Sequence, residues 1–178
     1  TAMKRAMKGD FDLVGAGQKV IDGLAGLKAE DHSSKSYFEE KLAYVSAFKK
    51  VAVMAIAAAS NVFKRQIAFE HEVLFNILDS IMKTYVAEST LLRVQKLEGI
   101  KGADTAEFYK NILDVCIYDA AATIRKGGLD AVNSFAEGAD LENLTRGIEI
   151  YTQVKGVNVK EARRKIADKL IEDNKYNF

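Results

Sequence analysis

Side chains capable of acid–base chemistry occur within the apolar pattern of two long predicted helices in the middle of the chain. They comprise carboxylates, a phenol and guanidinium groups: Asp79, Glu88, Arg93, Asp114, Tyr118, Asp119 and Arg125. If the two helices are antiparallel neighbours, Glu88 or Asp79 can meet Arg125. In the same arrangement Asp119 can meet Arg93. Such a cluster would suit a small acid–base or anion-binding site. Ion pairs that fix the register of neighbouring helices are the simpler interpretation, and it is the one we favour.

The two histidines do not fit a helical metal site. A di-metal carboxylate site in a helical bundle needs Glu-x-x-His on two helices, whereas the residue three positions before His32 and before His71 is alanine. Glu70 and Glu72 flank His71, but adjacent residues point about 100° apart on a helix. We therefore expect no metal site, and we expect His71 to be a solvated residue at the start of a helix.

Cys116, the single cysteine, lies on the apolar side of the second of these helices. No histidine lies near it in the sequence, and a small core residue is the usual role of a free cysteine. The phosphate-binding patterns GxGxxG and GxxxxGK[ST] are absent, and Gly15-Ala16-Gly17 follows no predicted strand. We therefore assign no catalytic, cofactor-binding or metal-binding residue from the sequence.

The elements that carry these residues are predicted to be helices almost throughout, because the apolar residues recur at helical spacing and no proline interrupts them. No stretch alternates apolar and polar residues over the length of a strand. The predicted helices cover residues 11–28, 36–65, 70–97, 104–136, 141–154 and 159–173. We expect an all-α fold, an antiparallel bundle of long helices with shorter flanking helices, forming a single domain over residues 1–178.

Local signals predict how some of these helices begin and pack. Asp104 with Glu107 predicts a capping box after a loop at residues 99–104, and Asn158 is expected to cap the last helix. Gly127-Gly128 should kink the fourth predicted helix or let another backbone approach closely. The third predicted helix is expected to carry its apolar residues on one side, namely Val73, Leu74, Ile77, Ile81, Tyr85, Leu92 and Leu97.

The segment KKVAVMAIAAASNVFKR, residues 49–65, contains an uninterrupted apolar run from Val51 to Ala59. A membrane-spanning helix needs about 20 apolar residues, and residues 51–63 provide about 13. A helix on the membrane surface needs a polar face along its whole length, which this run lacks. Because the run is apolar on every side and rich in alanine, we expect it to form the buried centre of the bundle.

Charge and cysteine content limit the classes of partner and compartment. The 26 Lys and Arg nearly balance the 25 Asp and Glu, so nothing favours a nucleic acid as a partner. A single cysteine cannot form an internal disulfide and suits a reducing compartment. Since the first apolar stretch is also too short for a signal peptide, we expect a cytoplasmic protein.

Three segments resemble one protein family: MKRAMKGDFDL at the start, IYDAAATIRKGGLDAVNSFAEG in the fourth predicted helix, and VKEARRKIADKLIEDNKY at the end. They are similar to the extreme C-terminal region of bacterial acyl-CoA dehydrogenases of the type related to mitochondrial very-long-chain acyl-CoA dehydrogenase. The resemblance covers almost the whole chain, residues 3–178, and is most specific in IYDAAATIRKG.

The resemblance implies a larger FAD-dependent flavoprotein that oxidises acyl-CoA to 2-enoyl-CoA. The family's stretch like EGTNEI is expected before residue 1, and AEGADLENL at residues 136–144 is not a version of it. The resemblance therefore transfers no catalytic or FAD-binding residue to this chain. It implies a non-catalytic C-terminal accessory domain that packs on the catalytic core of the same polypeptide, within a homodimer.

A stand-alone helical module that binds a partner protein or a membrane surface is the alternative. Its sequence support is the amphipathic last helix, which has basic residues on its outer face. The strongly hydrophobic membrane-binding segment expected from the mitochondrial relatives has no counterpart here, so we do not expect membrane binding. An accessory domain separated from its core should expose apolar surface and self-associate.

Overall fold

The computed structural model describes residues 12–174, with the side chains of residues 103–105 left out. Within that range the chain forms six α-helices and no strand, which confirms the all-α prediction. The helices are α1 (Leu13–Asp22), α2 (Tyr37–Phe63), α3 (His71–Lys101), α4 (Ala103–Asn133), α5 (Gly138–Tyr151) and α6 (Val159–Asp173). Two 3₁₀ turns, Leu24–Gly26 and Lys64–Phe69, follow α1 and α2.

The predicted first helix, residues 11–28, is too long at its C-terminal end. The α-helix ends at Asp22, and the turn Leu24–Gly26 places the side chain of Leu24 in the core. The predicted start at residue 11 lies outside the described residues. Gly17 is buried where α1 meets α2, and a Cβ atom at this position would lie 2.1 Å from the carbonyl oxygen of Val53. Gly15 and Gly17 both lie within α1.

Helix α2 is the centre of the bundle. Ser36 caps it, and Glu39 completes a capping box through its hydrogen bond to the Ser36 backbone N–H. From Val51 to Ala59 the side chains are buried, apart from the partly buried Val53 and Ile56. The expected central position of this run is therefore confirmed.

The length argument against a membrane-spanning helix was too strict. The continuous stretch Tyr37–Phe69 is long and apolar enough to cross a membrane by length and composition, the one such stretch found between residues 12 and 174. Packing accounts for this composition, because 56% of its most apolar window is buried inside the bundle. A core helix needs the same apolar residues as a membrane helix when protein surrounds it on all sides.

Helices α3 and α4 form a long antiparallel pair. Near its open end Gly127 of α4 lies against Asn76 of α3, and near its closed end Lys110 pairs with Glu98 at 3.0 Å. The predicted loop at residues 99–104 is wrong, because α3 continues to Lys101 and Gly102 alone separates the two helices. Gly102 has a φ of 86°, in the region that glycine adopts without a steric penalty.

The predicted capping box at the start of α4 is also wrong. The helix begins at Ala103 after Gly102, so Asp104 lies in the first turn and not at the N-cap, and its side chain lies outside the described residues. Farther along, α4 continues through Gly127 and Gly128. A Cβ atom on Gly127 would lie 3.1 Å from the Asn76 carbonyl oxygen, so close approach was the correct alternative.

The two shorter helices agree with their predictions to within a turn. Helix α5 is shifted by three residues towards the N-terminus from the predicted range 141–154, and α6 has the predicted bounds. The Asn158 side chain accepts a hydrogen bond from the Glu161 backbone N–H at 3.2 Å. Asn158 is therefore the N-cap of α6, as predicted.

Helix α3 carries apolar residues on two opposite faces, and the prediction of a single apolar side is wrong. Its buried face contains Val73, Ile77, Ser80, Thr84, Ala87, Leu91 and Val94. The opposite face exposes a row of large apolar side chains, here called the α3 seam: Phe75, Leu78, Met82, Tyr85 and Leu92. Ile81, Tyr85 and Leu92 were predicted to share a side with Val73 and Ile77, but they are exposed.

Candidate functional site

The polar residues of the two central helices form ion pairs with other helices than those predicted. Glu88 pairs with Lys49 of α2 at 2.6 Å, and Arg125 pairs with Glu149 of α5 at 2.5 Å. Neither Glu88 nor Asp79 meets Arg125, so the predicted pairing is wrong. Both observed pairs nevertheless join different helices, which agrees with a role in helix register.

Asp119 also has a different partner from the one predicted. It accepts a hydrogen bond from Arg163 of α6 at 2.8 Å, while Arg93 lies elsewhere on α3. Asp79 and Arg93 are both exposed, and neither forms an ion pair with any residue in the described part of the chain. Tyr118 is exposed at the surface of α4. The predicted residues therefore do not converge on one site.

Asp114 is the exception, because it belongs to a polar network between α2 and α4. Its Oδ1 lies 2.9 Å from the ammonium group of Lys41 and 2.9 Å from the hydroxyl of Tyr37. The Tyr37 hydroxyl is also 3.1 Å from the Lys110 carbonyl oxygen. Lys41 is buried, and its ammonium group lies 4.9 Å from the centre of the Tyr37 ring. The lysine charge is thus enclosed by a carboxylate and an aromatic face.

A second carboxylate extends this network to the loop between α5 and α6. Glu40 lies 3.5 Å from the Lys41 ammonium group and accepts a hydrogen bond from the Tyr44 hydroxyl at 2.8 Å. The same hydroxyl accepts a hydrogen bond from the Lys155 backbone N–H at 3.2 Å. Tyr44 therefore connects α2 to the loop that precedes α6.

The ionisation states in this network suit a structural role. Burial, together with the charge and hydrogen bond of Asp114, raises the pKa of Tyr37 well above its usual value. Burial and the hydrogen bond to Glu40 raise the pKa of Tyr44 to about 12. Burial opposes ionisation of Glu40, but the hydrogen bond from Tyr44 and the charge of Lys41 outweigh it and lower the pKa of Glu40. At neutral pH both phenols are therefore protonated, and Lys41 is flanked by two carboxylates, which leaves no activated base or nucleophile.

Tyr37 and Lys41 were missed in the sequence, although one signal was present. Lys41 occurs at helical spacing with Tyr44, Val45 and Phe48, the buried side of α2. A lysine on a buried stripe needs a charged partner. Its position pointed to an ion pair, but nothing in the sequence identified Asp114 as that partner.

Cys116 and His71 occupy the positions expected of them. The thiol of Cys116 is partly buried, and its sulfur lies 3.7 Å from the Thr90 hydroxyl oxygen. Burial raises the pKa of Cys116, which opposes the thiolate that a nucleophile requires. His71 is the exposed first residue of α3. No three of the described His, Cys, Asp and Glu residues are grouped so that they could hold a metal ion.

A largely apolar groove of about 520 Å³ lies between α3, α4 and α6. Apolar side chains such as Leu97 and Ile112 line it, and among its described lining residues Arg93 alone is charged. The lining residues come from the interiors of the helices, so no helix begins at the groove with its backbone N–H groups free to bind a phosphate. The described lining of this groove therefore contains no phosphate-binding element.

The family described as acyl-CoA dehydrogenase, C-terminal domain, matches residues 47–149, which extend from α2 into α5. A probable acyl-CoA dehydrogenase of Bacillus subtilis (strain 168) is 27% identical over 176 residues, covering 99% of this chain and 30% of the relative.

A solved structure shows the same fold. The crystal structure of an acyl-CoA dehydrogenase complexed with FAD from Bacillus anthracis matches with a TM-score of 0.85 and 24% identity, over 99% of this chain and 30% of that one. The chain thus spans less than a third of the length of the relatives it matches. Since the family match covers most of the helical bundle, the chain belongs to the acyl-CoA dehydrogenase C-terminal domain family.

Proposed function

We propose that this chain is a non-catalytic accessory domain of a larger FAD-dependent acyl-CoA dehydrogenase. The carrying observation is the family match over residues 47–149, combined with relatives of which the chain covers only 30%. The parent enzyme would oxidise acyl-CoA to 2-enoyl-CoA in cytoplasmic fatty acid β-oxidation. The order of the resembling segments supports the very-long-chain type for that parent.

The groove between α3, α4 and α6 does not fit FAD, which is consistent with a non-catalytic role. A dinucleotide needs backbone N–H groups or basic side chains around its pyrophosphate. Among its described lining residues the groove has Arg93 alone for this purpose. We therefore assign the flavin and the substrate to the rest of the parent polypeptide and derive no catalytic step here.

The contribution of the domain would be packing and assembly. Its polar network joins α2, α4 and the loop before α6. Its α3 seam supplies apolar surface for contacts beyond the bundle. We propose that the domain packs on the catalytic core of its own polypeptide, and that the parent enzyme is a homodimer.

The test compares the 178-residue chain with the parent enzyme. Both are purified without added flavin, and their visible absorbance and acyl-CoA-dependent reduction of a dye are measured. The parent enzyme should show a flavin band and reduce the dye, whereas the 178-residue chain should do neither. A stoichiometric flavin band in the 178-residue chain would overturn the non-catalytic assignment. A parent enzyme that lacks flavin and does not oxidise acyl-CoA would overturn the parent activity.

A further inference from the structure

The α3 seam is an apolar surface that the bundle itself does not cover. Its aromatic members are the most open, with Phe75 65% and Tyr85 70% exposed. Ile81 and Val86 flank the seam and are also exposed, as is Phe69 just before the helix. Side chains of this size leave roughly 700 to 900 Å² of apolar surface in contact with water. One partner in a stable protein–protein interface buries about 800 Å².

The spacing of the seam indicates that its partner is a helix. Phe75, Leu78, Met82 and Tyr85 alternate steps of three and four residues, and Leu92 continues the same heptad. This spacing lets side chains of one helix insert between those of another. The buried face of α3 has the same spacing and packs on helices of its own bundle. The α3 seam has the same alternation of three- and four-residue steps, but no helix in the described chain covers it.

Two charged residues beside the seam, which have no ion-pair partner in the described chain, indicate which helix the partner is. Asp79 and Arg93 lie two heptads apart, about 21 Å along the axis, on the same edge of the seam. Neither has an ion-pair partner within residues 12–174. They lie at equal distances in sequence on either side of Val86. An antiparallel copy of α3 with its twofold axis near Val86 brings Asp79 of each copy to Arg93 of the other.

We propose that the α3 seam binds a second copy of this chain, with the two α3 helices antiparallel and two reciprocal Asp79–Arg93 ion pairs setting the register. The arrangement is isologous, since the same surface is used by both copies. It places Met82 of one copy near Leu92 of the other, and the exposed seam residues become the core of the contact. This inference deepens the proposed homodimer by naming its surface, and it does not depend on the chemistry of the parent enzyme.

Other charged residues on this face are compatible with the contact. Glu88 lies near the twofold axis, where two copies would approach each other, but each Glu88 is paired with Lys49 of its own chain. Lys83 is exposed to the side of the seam and can remain solvated. Lys96 has the heptad position of Met82, so it lies at each end of the contact beside Leu78 of the other copy. There its methylene stem can pack on Leu78 while its ammonium group stays in water. The catalytic core of the same polypeptide is a competing occupant of the seam, and the experiment below separates the two.

The test is charge reversal measured by light scattering on the 178-residue chain. The wild type should have a mass of about 39 kDa, twice the 19.6 kDa of the chain. Asp79→Arg and Arg93→Asp should each be monomeric. In a homodimer of either variant, positions 79 and 93 carry the same charge, so both inter-chain pairs would be repulsive. An equimolar mixture of the two variants should recover the dimer, since each Arg at position 79 then faces an Asp at position 93.

Asp168→Arg, an exposed change on α6, serves as the matched control and should remain dimeric. Thermal unfolding by circular dichroism verifies that every variant is folded, and Met82→Glu provides a second disruption of the seam. A monomeric wild type would overturn the proposal. Single variants that remain dimeric, or a mixture that remains monomeric, would overturn it too. Flavin binding and acyl-CoA oxidation by the parent enzyme are measured independently, so a failure here is distinguishable from a failure of the proposed function.

Discussion

The ammonium group of Lys41 lies 2.9 Å from Oδ1 of Asp114, and only 7% of the lysine side chain is exposed. This pair joins the two helices that contribute most to the core, α2 and α4. A buried charge is tolerated because its partners replace the hydration that it loses. Packing of α2 on α4 therefore requires that this charge keep its partner.

Replacing Lys41 by methionine should destabilise the chain by about 2 to 3 kcal/mol, because it leaves Asp114 without its cation in a partly buried position. The free energy of unfolding in urea measures this. Lys49→Met is the matched control, since Lys49 and Glu88 form a much more exposed pair whose loss should cost less than about 1 kcal/mol. An equal loss of unfolding free energy in the two variants would contradict the larger contribution expected from the buried Lys41.

Alkaline pH should unfold the chain in part through Tyr44. Its pKa is raised from 10.0 to about 12 in the folded chain. The neutral phenol is thus favoured by folding, so this contribution to stability is complete below pH 10 and is lost as the pH rises towards 12. The measurement is the urea unfolding free energy between pH 9 and pH 12.

Tyr44→Phe isolates this effect from the lysines that titrate over the same range. The wild type should lose stability more steeply with pH than the variant, because the variant has no phenol to ionise at this position. Parallel pH profiles for the two proteins would show that Tyr44 does not contribute.

Adding one methyl group at two different glycines should have opposite effects. Gly17→Ala places a Cβ atom 2.1 Å from the Val53 carbonyl oxygen and should destabilise by about 2 to 3 kcal/mol, since the backbone of α2 cannot move aside. Gly99→Ala meets nothing within 4 Å in the last turns of α3 and should stabilise by up to about 1 kcal/mol. Thermal melting of the two variants tests the sign. A Gly17→Ala variant as stable as the wild type would refute the close packing of α1 on α2, and a destabilised Gly99→Ala variant would refute the open space at Gly99.

Cys116 should react slowly with a thiol reagent in the folded chain. Burial raises the pKa of its thiol, so the thiolate fraction at neutral pH is small. We expect labelling by an aromatic disulfide at pH 7.5 to be at least about tenfold slower than in urea-unfolded chain. Labelling at the same rate in both states would mean that the thiol is open to solvent.

The sequence was most informative where a local signal determines the structure. Asn158 predicts the start of α6 because its side chain can accept a hydrogen bond from a backbone N–H three residues ahead. The apolar run Val51 to Ala59 predicts burial because no side of it is polar. Both features depend on residues that are close together in the chain.

Predictions failed where the structure depends on which helices become neighbours. Arg125 was expected to meet a residue of α3, but α5 returns along the bundle and supplies Glu149. Residues Ile77 and Ile81 are both apolar and one turn apart, yet the first is buried and the second exposed. Sequence spacing identifies a residue as apolar, whereas the packing of α2 and α4 decides which apolar face of α3 they cover.

At the end of α3, glycine content was a poor guide to where the helix stops. Residues 99–104 contain two glycines and were predicted to form a loop, but Gly99 remains helical and Gly102 alone breaks the helix. An isolated glycine costs a helix only about 1 kcal/mol. Contacts between α3 and α4 on either side of the break are sufficient to offset that cost.

The single-residue connection at Gly102 has a consequence for the order in which the chain folds. Helices α3 and α4, each of 31 residues, are joined by the shortest possible turn, so their pairing requires almost no loop-closure entropy. By contrast, α1 reaches α2 across a connection of more than ten residues. We expect the α3–α4 hairpin to form in the rate-limiting nucleus, with α1 joining late. Substitutions along the hairpin should then slow refolding, and those in α1 should mainly accelerate unfolding.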